Sequence, residues 1–385
     1  MLVIAAGHPA LTGAAQDHAA FRAFAALRED HGSSADFLCG AGTLPPPPGV
    51  RIFQPFGPNE FLAETPGFDG TDFTQHDTDL LRRLSLLLRR LEPEVVHLHD
   101  LAPFGVELIG LIRREHPATR ILLSLGPDLG RRAAITAAPE DTDLTRRFLR
   151  ATLLKRFLGE MAAILLPCES LRPACLAFGL DPAKLRTHAS LPAPTEMTPP
   201  PPLGRFLVVA AFPGAVADPA IFATAATLLA GATLPAGRQI RLELHGGWEG
   251  QPALERAAAL PGSPLALMPD GPRGKALRAA HLALLPAPDG ADPEGLSWEA
   301  LGHRRPVICC PIGSLAERVQ PGRDGLHIPM NGPALAELLL NLIEAPDQVA
   351  ALQQSLLDPP SLAESESALL ALYRELASAP VPARI

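Results

Sequence analysis

Two glycine-containing loops, each followed by a short helical pattern, stand close together in the last third of this 385-residue chain. The first leads through Gly295 into a predicted helix over 296–301, and the second leads through Gly313 into a helix predicted to open at Ser314. A helix start presents unpaired backbone N–H groups and the positive end of the helix dipole, which suit a phosphate group. Glu299, in the first helix, is a carboxylate that could accept hydrogen bonds from a ribose diol. Nucleotide binding is therefore the candidate chemistry, and plain turns with a solvated carboxylate are the structural alternative.

The run that begins at Glu299, EALGHRRPVICCPIGSLAERVQPGRDGLHI, resembles the donor-nucleotide segment of the family-4 glycosyltransferases of GT-B fold. That family carries Glu-Ala-Met-Ala-x-Gly-x-Pro-Val-Ile, then a glycine turn, Glu-x-Val and an Asp-Gly turn, in similar order and spacing. The resemblance implies that Glu299 binds the ribose of a nucleotide. It also implies that the backbone of Gly295, Leu296 and Ser297 binds the diphosphate, with Gly313 in the second loop of the same site.

Two earlier glycine turns follow the order of the same family. LELHGG closes a predicted strand over 239–244, and LALMPDGPRGKALRAAHLALLPAP contains the next strand, turn, helix and strand. By the resemblance, these turns lie near the base and phosphates of the nucleotide, and their candidate residues are Gly246, Gly247, Asp270 and Gly271. Structural turns are the competing account for each of them.

The sequence departs from the family where a departing diphosphate would be stabilised. Relatives supply an Arg and a Lys after the first strand of the second domain, whereas this chain has AAFPGAVADPAIF there. Arg273 or Lys275, from a neighbouring loop, could supply the positive charge instead. The first glutamate of the family, which contacts sugar hydroxyls, falls on Ala291 here, and Glu294 is the preferred substitute. The candidate catalytic residues are therefore Glu294, Arg273 and Lys275.

The first half of the chain also resembles the family and departs from it once. PEVVHLHD, which includes His97 and His99, is similar to the Pro-Asp-Val-Val-His-x-His strand of relatives. Relatives place a histidine near the reacting sugar at the end of the next strand, where this chain has Gly126. The histidine pair is incomplete as a zinc site. Two Asp-Thr-Asp triplets, at 77–79 and 141–143, resemble metal-binding carboxylates of another transferase fold, but both precede predicted helices, where Asp and Thr are ordinary caps. We expect no metal and no cofactor.

Hydrophobic patterning predicts strands that alternate with helices in both halves of the chain. The predicted strands are 2–6, 35–39, 94–98, 120–125 and 163–166, followed by 205–210, 239–244, 265–268, 282–285 and 306–310. This order predicts an α/β protein with two doubly wound parallel sheets. The resemblance implies the GT-B arrangement, in which two Rossmann-like domains face each other across a cleft.

The proline-rich stretch 193–202 separates the two halves and predicts a domain boundary. We expect residues 1–195 to form the acceptor-side domain and residues 203–360 to form the nucleotide-sugar-binding domain. The resemblance implies that a last helix, over about 362–385, returns to the first domain.

Composition limits the partners and the compartment. The net charge of −8 argues against nucleic acid, and an odd set of five cysteines without framework spacing fits reduced thiols in a bacterial cytoplasm. The amino terminus lacks the basic region of a signal sequence, and no apolar stretch approaches the ~18 residues that span a bilayer. A basic helix around Arg146–Arg156 is either a solvated face or a contact with the inner face of the membrane.

From these residues we expect a transferase that moves a sugar from a nucleotide-sugar donor to a bacterial glycan, glycolipid or protein acceptor. The resemblance implies retention of anomeric configuration and independence of metal. The alternative is a catalytically degenerate GT-B protein that binds a nucleotide, a glycan or a partner subunit without turnover. The departures at Gly126, at Ala291 and at the missing Arg/Lys pair favour that alternative, whereas the phosphate-side loop and Glu299 favour the enzyme.

Overall fold

The structure is a computed structural model that describes residues 1–5, 15–30, 34–39, 52–53, 78–99, 107–125, 155–188, 198–212, 218–269, 271–287, 295–358 and 361–378. The chain divides into two compact units, Met1–Leu191 with Ser361–Ile385, and Pro192–Pro360. Each unit is an open parallel β-sheet with apolar clusters on both faces.

The first unit is built on a seven-stranded sheet in the order β3-β2-β1-β4-β5-β6-β7. Its strands are β1 (Leu2–Ala5), β2 (Asp36–Leu38), β3 (Ile52–Phe53), β4 (Val95–His99), β5 (Arg120–Ser124), β6 (Ala163–Leu166) and β7 (Leu185–Thr187). Its described helices are α1 (Ala15–Glu29), α2 (Thr78–Leu91), α3 (Glu107–Glu115), α4 (Arg172–Phe178) and the C-terminal helix α12 (Leu362–Ser378).

Helices cover both faces of the first sheet. Neighbouring residues of a strand point to opposite sides, so each strand contributes to both apolar clusters. One face includes Leu2 and Ile4 of β1 and packs with leucines and isoleucines of α2 and α3. The other face includes Val3 and Ala5 and packs with α1 and α12 through Phe24, Leu27, Leu369, Tyr373 and Leu376. Burial on both faces explains why these strands appear in the sequence as short apolar runs.

The second unit is built on a six-stranded sheet in the order β10-β9-β8-β11-β12-β13. Its strands are β8 (Phe206–Ala211), β9 (Gln239–His245), β10 (Leu265–Met268), β11 (Leu282–Leu285), β12 (Val307–Cys309) and β13 (Gly325–His327). Its helices are α5 (Pro219–Ala230), α6 (Pro252–Ala258), α7 (Arg273–Ala279), α8 (Leu296–Gly302), α9 (Gly313–Arg318), α10 (Gly332–Glu344) and α11 (Pro346–Ser355).

The prediction of two doubly wound parallel sheets is confirmed, since every pairing between named strands is parallel. Three strands were not predicted: β3, β7 and β13. Each has only two or three residues, too few to show the alternation that marks a strand. In each sheet the chain reverses the direction in which it adds strands, between β1 and β4 and between β8 and β11.

Candidate functional site

The predicted nucleotide-binding turns lie around one point of the second sheet. Strands β8 and β11 are neighbours there, and the chain winds outward from them in opposite directions. Ligands of doubly wound sheets bind beyond the carboxyl ends of the strands at such a reversal. The turn that contains Gly295 follows β11, which is one of these two strands. The turns that contain Gly246 and Gly313 follow β9 and β12, which pair with β8 and β11 respectively.

The turn after β9 is built from two consecutive glycines in a left-handed conformation. Gly246 and Gly247 have φ values of 67° and 70°, which side chains of L-residues rarely adopt. The Gly246 N–H donates to the Met268 carbonyl at 3.1 Å, and the Trp248 indole N–H donates to the same oxygen at 2.7 Å. These bonds join the turn to the end of β10. They explain the turn without a ligand, although its position beyond the carboxyl end of β9 also suits one.

The loop that enters α8 has the predicted form of a tight glycine turn. Gly295 caps α8 with φ 64°, and the Glu299 N–H donates to its carbonyl at 3.1 Å. Leu296 and Ser297 are buried, while the Glu299 side chain is partly exposed in the first turn. The start of α8 is therefore held by buried residues, while the Glu299 side chain keeps partial exposure.

The second predicted loop enters α9 through another left-handed glycine. Gly313 has φ 64° and begins α9, which has six residues. In the last turn of this helix, the buried Arg318 guanidinium carbon lies 5.8 Å from the ring centre of Trp298 in α8. This cation–π contact joins the two helices that follow the predicted loops.

The candidate cations occupy the first turn of α7. Arg273 begins the helix and is partly buried, and Lys275 is exposed two residues later. Gly271 precedes them and is exposed. Asp270 and Glu294, the other two candidates near these positions, lie outside the described residues.

A buried arginine fixes the positions of α7 and α8. The Arg305 side chain is fully buried, and burial lowers the pKa of its guanidinium to about 10. It donates hydrogen bonds to carbonyl oxygens of Leu277 (2.7 Å), Arg278 (3.0 Å), His303 (2.5 Å), Thr198 (3.2 Å) and Pro199 (3.4 Å). The first two belong to the last turn of α7, and His303 follows α8, so one cation satisfies the carbonyl ends of both helices.

Sequence reasoning missed an aromatic pair at the ends of β8 and β9. The rings of Phe212 and His245 stack with centroids 5.4 Å apart and an interplanar angle of 22°. Glu243 lies 3.4 Å from His245 Nε2 and 2.8 Å from Arg241 Nε. His245, and then Arg241, hold the pKa of the Glu243 carboxyl below its usual value. The available signal in the sequence was the histidine before the two glycines, together with Phe212 directly after β8.

His97, in the predicted histidine pair of the first unit, has hydrogen-bonding partners on two other elements. His97 Nδ1 lies 2.6 Å from the Tyr373 hydroxyl, and His97 Nε2 lies 2.8 Å from Ser124 Oγ. Burial lowers the pKa of His97 well below its usual value and raises the pKa of Tyr373. Among the described residues, no three His, Cys, Asp or Glu side chains are grouped as a metal site requires.

Several other predicted features cannot be followed into the structure. Gly126, Ala291 and residues 146–154 of the basic helix lie outside the described residues, while Lys155 and Arg156 are described and exposed. Within the described part of the chain, no helix combines the length and apolar character needed to cross a membrane.

Comparisons with known proteins agree with this architecture. No protein-family model matches the sequence, and no curated protein matches it. A glycosyltransferase from Rickettsia africae aligns over 98% of both chains, with a TM-score of 0.65 and 12% identity. HepE from Anabaena, solved with UDP, aligns over 97% of this chain and 99% of its own, with a TM-score of 0.62 and 13% identity. Sucrose-phosphate synthase from Thermosynechococcus elongatus aligns over 97% and 98%, with a TM-score of 0.66 and 16% identity.

These solved structures are glycosyltransferases of the GT-B fold, and the likeness extends over nearly the whole chain. The protein therefore has the GT-B fold, with one Rossmann-like sheet in each unit. At 12–16% identity the likeness defines the fold, and the function has to be argued from the site.

Proposed function

We propose that the protein is a glycosyltransferase that moves a hexosyl unit from a nucleotide-sugar donor to a bacterial glycan, glycolipid or protein acceptor. We propose also that it retains anomeric configuration and needs no metal ion. One observation carries the proposal: three glycine turns predicted to bind a nucleotide gather at the strand reversal of the second sheet. The GT-B fold supports the same class, and solved neighbours of this chain bind UDP and UDP-glucose.

In this proposal the loop before α8 and the first turn of this helix bind the ribose and the diphosphate of the donor. Glu299 accepts hydrogen bonds from the ribose hydroxyls, and the backbone N–H groups of Leu296 and Ser297 donate to the diphosphate. The left-handed turn at Gly295 lets the backbone approach the phosphates without a Cβ between them. Gly246 and Gly313 provide the turns on either side, near the base and the phosphates.

Departure of the diphosphate requires positive charge or N–H donors near the leaving oxygen. We assign this role to Arg273 and Lys275 in the first turn of α7, and contact with the donor sugar to Glu294. Replacing Arg273 with alanine is expected to lower turnover by about 100-fold or more, the usual effect of removing one such donor. Arg256→Ala, an exposed arginine on α6, is the matched control. Unchanged turnover and donor affinity in Arg273→Ala would remove this assignment.

The first test is calorimetric titration with UDP, GDP, ADP and the sugar nucleotides built on them. We expect one nucleotide to bind tightly, and we expect Glu299→Ala to weaken its binding by about tenfold or more because two charge-assisted hydrogen bonds are lost. Glu337→Ala, which removes an exposed carboxylate on α10, is expected to bind as the unchanged protein does. Absence of binding by all three bases, from folded protein, would contradict the donor-site proposal.

A non-catalytic binding protein is the second candidate, and one observation favours it. The loop after β8 has neither the Arg nor the Lys that the family places there. Nucleotide binding without hydrolysis or transfer of the sugar, across a panel of hydroxyl acceptors, would support this candidate. Turnover that persists in EDTA would support the metal-independent enzyme.

We propose peripheral membrane contact through the basic segment predicted around Arg146–Arg156, of which the described residues Lys155 and Arg156 are exposed. Co-flotation with vesicles that contain phosphatidylglycerol, reduced at high salt, would support this contact. Equal recovery with neutral phosphatidylcholine vesicles would contradict it.

A further inference from the structure

A histidine ends β9 at the carboxyl edge of the second sheet, beside the strand reversal. His245 is the last residue of β9, which pairs with β8, and it directly precedes the left-handed glycines Gly246 and Gly247. Its side chain keeps 14% of its surface exposed. Ligands of doubly wound sheets bind beyond this edge, and an imidazole N–H is a donor that a phosphate oxygen can accept.

The His245 side chain lies on the face of the sheet that α7 covers. Neighbouring residues of a strand point to opposite sides, and Leu244 belongs to the apolar cluster of the other face. Phe212, directly after β8, packs in one cluster with Leu277 of α7 and stacks on the His245 ring. Helix α7 follows β10, so its first residue, Arg273, also lies at the carboxyl edge. The histidine and the candidate cation therefore share a face and an edge of the sheet.

Two neighbours fix the orientation of the His245 ring. The Phe212 ring stacks on it with centroids 5.4 Å apart, and Glu243 Oε2 lies 3.4 Å from its Nε2 atom. The hydrogen bond with His245 is the largest cause that lowers the pKa of the Glu243 carboxyl. Because the two N–H bonds of an imidazole ring diverge, Nδ1 is directed away from Glu243. Nδ1 has no hydrogen-bond partner among the described residues and, unlike Nε2, is not an enclosed atom.

The strand does not need this histidine to satisfy its buried carboxylate. Arg241 Nε lies 2.8 Å from Glu243 Oε1, so Glu243 has a counter-ion on its own strand. The loop that starts at Phe212 is also the one that lacks the Arg and the Lys of the family. A histidine stacked on the first residue of that loop can supply an N–H donor for a diphosphate where the loop itself has no cation.

We propose that His245 donates a hydrogen bond from Nδ1–H to the diphosphate of the nucleotide-sugar donor, while Glu243 accepts one from Nε2–H. This inference rests on the proposed transferase function, and it adds a donor on β9 to those assigned on α7 and α8. With both ring nitrogens protonated, the ring is an imidazolium between two anions, an arrangement that favours its charged form.

The test compares nucleoside diphosphates with their parent nucleosides on the full chain. UDP, GDP and ADP are titrated by calorimetry, and uridine, guanosine and adenosine are measured by competition against the diphosphate that binds. We expect His245→Leu to weaken diphosphate binding about tenfold or more, the effect of one lost hydrogen bond to a charged group, and to leave nucleoside binding unchanged. His245→Asn keeps an amide N–H near the Nδ1 position and should recover part of the affinity. His245→Gln places its amide near the Nε2 position and should not.

The matched control is His327→Leu, because His327 is also partly buried and ends β13 at the outer edge of the same sheet, away from the reversal. We expect it to bind every nucleotide as the unchanged protein does. An equal loss of diphosphate and nucleoside affinity in His245→Leu, or no loss of either, overturns the inference. The unchanged protein separates the two proposals: if it binds none of the three diphosphates, the donor proposal fails as well, and if it binds one that His245→Leu binds equally, only the role of His245 is lost.

Discussion

Acid should destabilise the first unit through its buried histidines, and His99 allows the effect to be measured. Its pKa is lowered from 6.5 to about 3 in the folded chain. Between these two pH values the unfolded chain therefore binds a proton at His99, whereas the folded chain keeps this imidazole neutral. The stability that this group contributes is fully present above pH 6.5 and is lost as the pH falls from 6.5 toward about 3.

The magnitude follows from the unfolded pKa, because the folded ring stays neutral throughout the accessible range. Between pH 7.5 and pH 5.5, protonation of one unfolded imidazole of pKa 6.5 costs about 1.4 kcal/mol of folding free energy. In His99→Leu this contribution is absent. We therefore expect the variant to lose about 1.4 kcal/mol less than the unchanged protein over that interval. At pH 7.5 the variant should be at least as stable, because it removes a buried nitrogen that lacks a partner.

The assay has to report on each unit separately. After equilibration in urea at either pH, pulse-labelling hydrogen exchange of peptides that cover β4 and β5 gives the midpoint of the first unit. Fluorescence of Trp248 and Trp298, the two tryptophans of the chain, gives the midpoint of the second unit. The second midpoint should have the same pH dependence in both proteins. Equal pH dependence of the first midpoint in the two proteins would refute the neutral, buried state of His99.

Three substitutions in the second unit can be followed by the same fluorescence. Arg305→Met should cost about 3–5 kcal/mol, as when a buried charged group that satisfies several partners is removed. Gly325→Ala should cost more than about 2 kcal/mol, because a Cβ would lie 1.9 Å from the Val307 carbonyl oxygen. Arg304→Gly should be neutral or stabilising by about 1 kcal/mol, since its φ of 60° is strained and its ion pair with Asp358 is exposed. An unchanged midpoint for either of the first two, or a large loss for the third, would contradict these assignments.

The sequence predicted those elements whose pattern is local. Strand β9 was predicted at 239–244 and observed at Gln239–His245, and helix α8 was predicted at 296–301 and observed at Leu296–Gly302. The left-handed turn at Gly295 follows from glycine itself. Contacts between distant residues were not predictable in this way: His97 and Tyr373 are 276 positions apart, and no local period relates them. The burial of Arg305 was also not predictable, because arginine is rarely fully buried. Only the backbone carbonyl groups that surround it in the folded chain explain its position.

The two arginines in GHRRPV both have structural roles in the segment that follows α8. Arg304 stands where the pattern that this segment resembles has glycine, and its own backbone is left-handed with φ 60°, while its side chain donates to the Leu356 carbonyl and to Asp358. Arg305 directs its donors to backbone carbonyls and has none to spare for a phosphate. Because the fold uses both side chains, the proposed function assigns the charge for a departing diphosphate to another element, through Arg273 of α7. The two roles are separable by stability: Arg305→Met should lower the stability of the second unit, whereas Arg273→Ala should lower turnover and leave that stability unchanged.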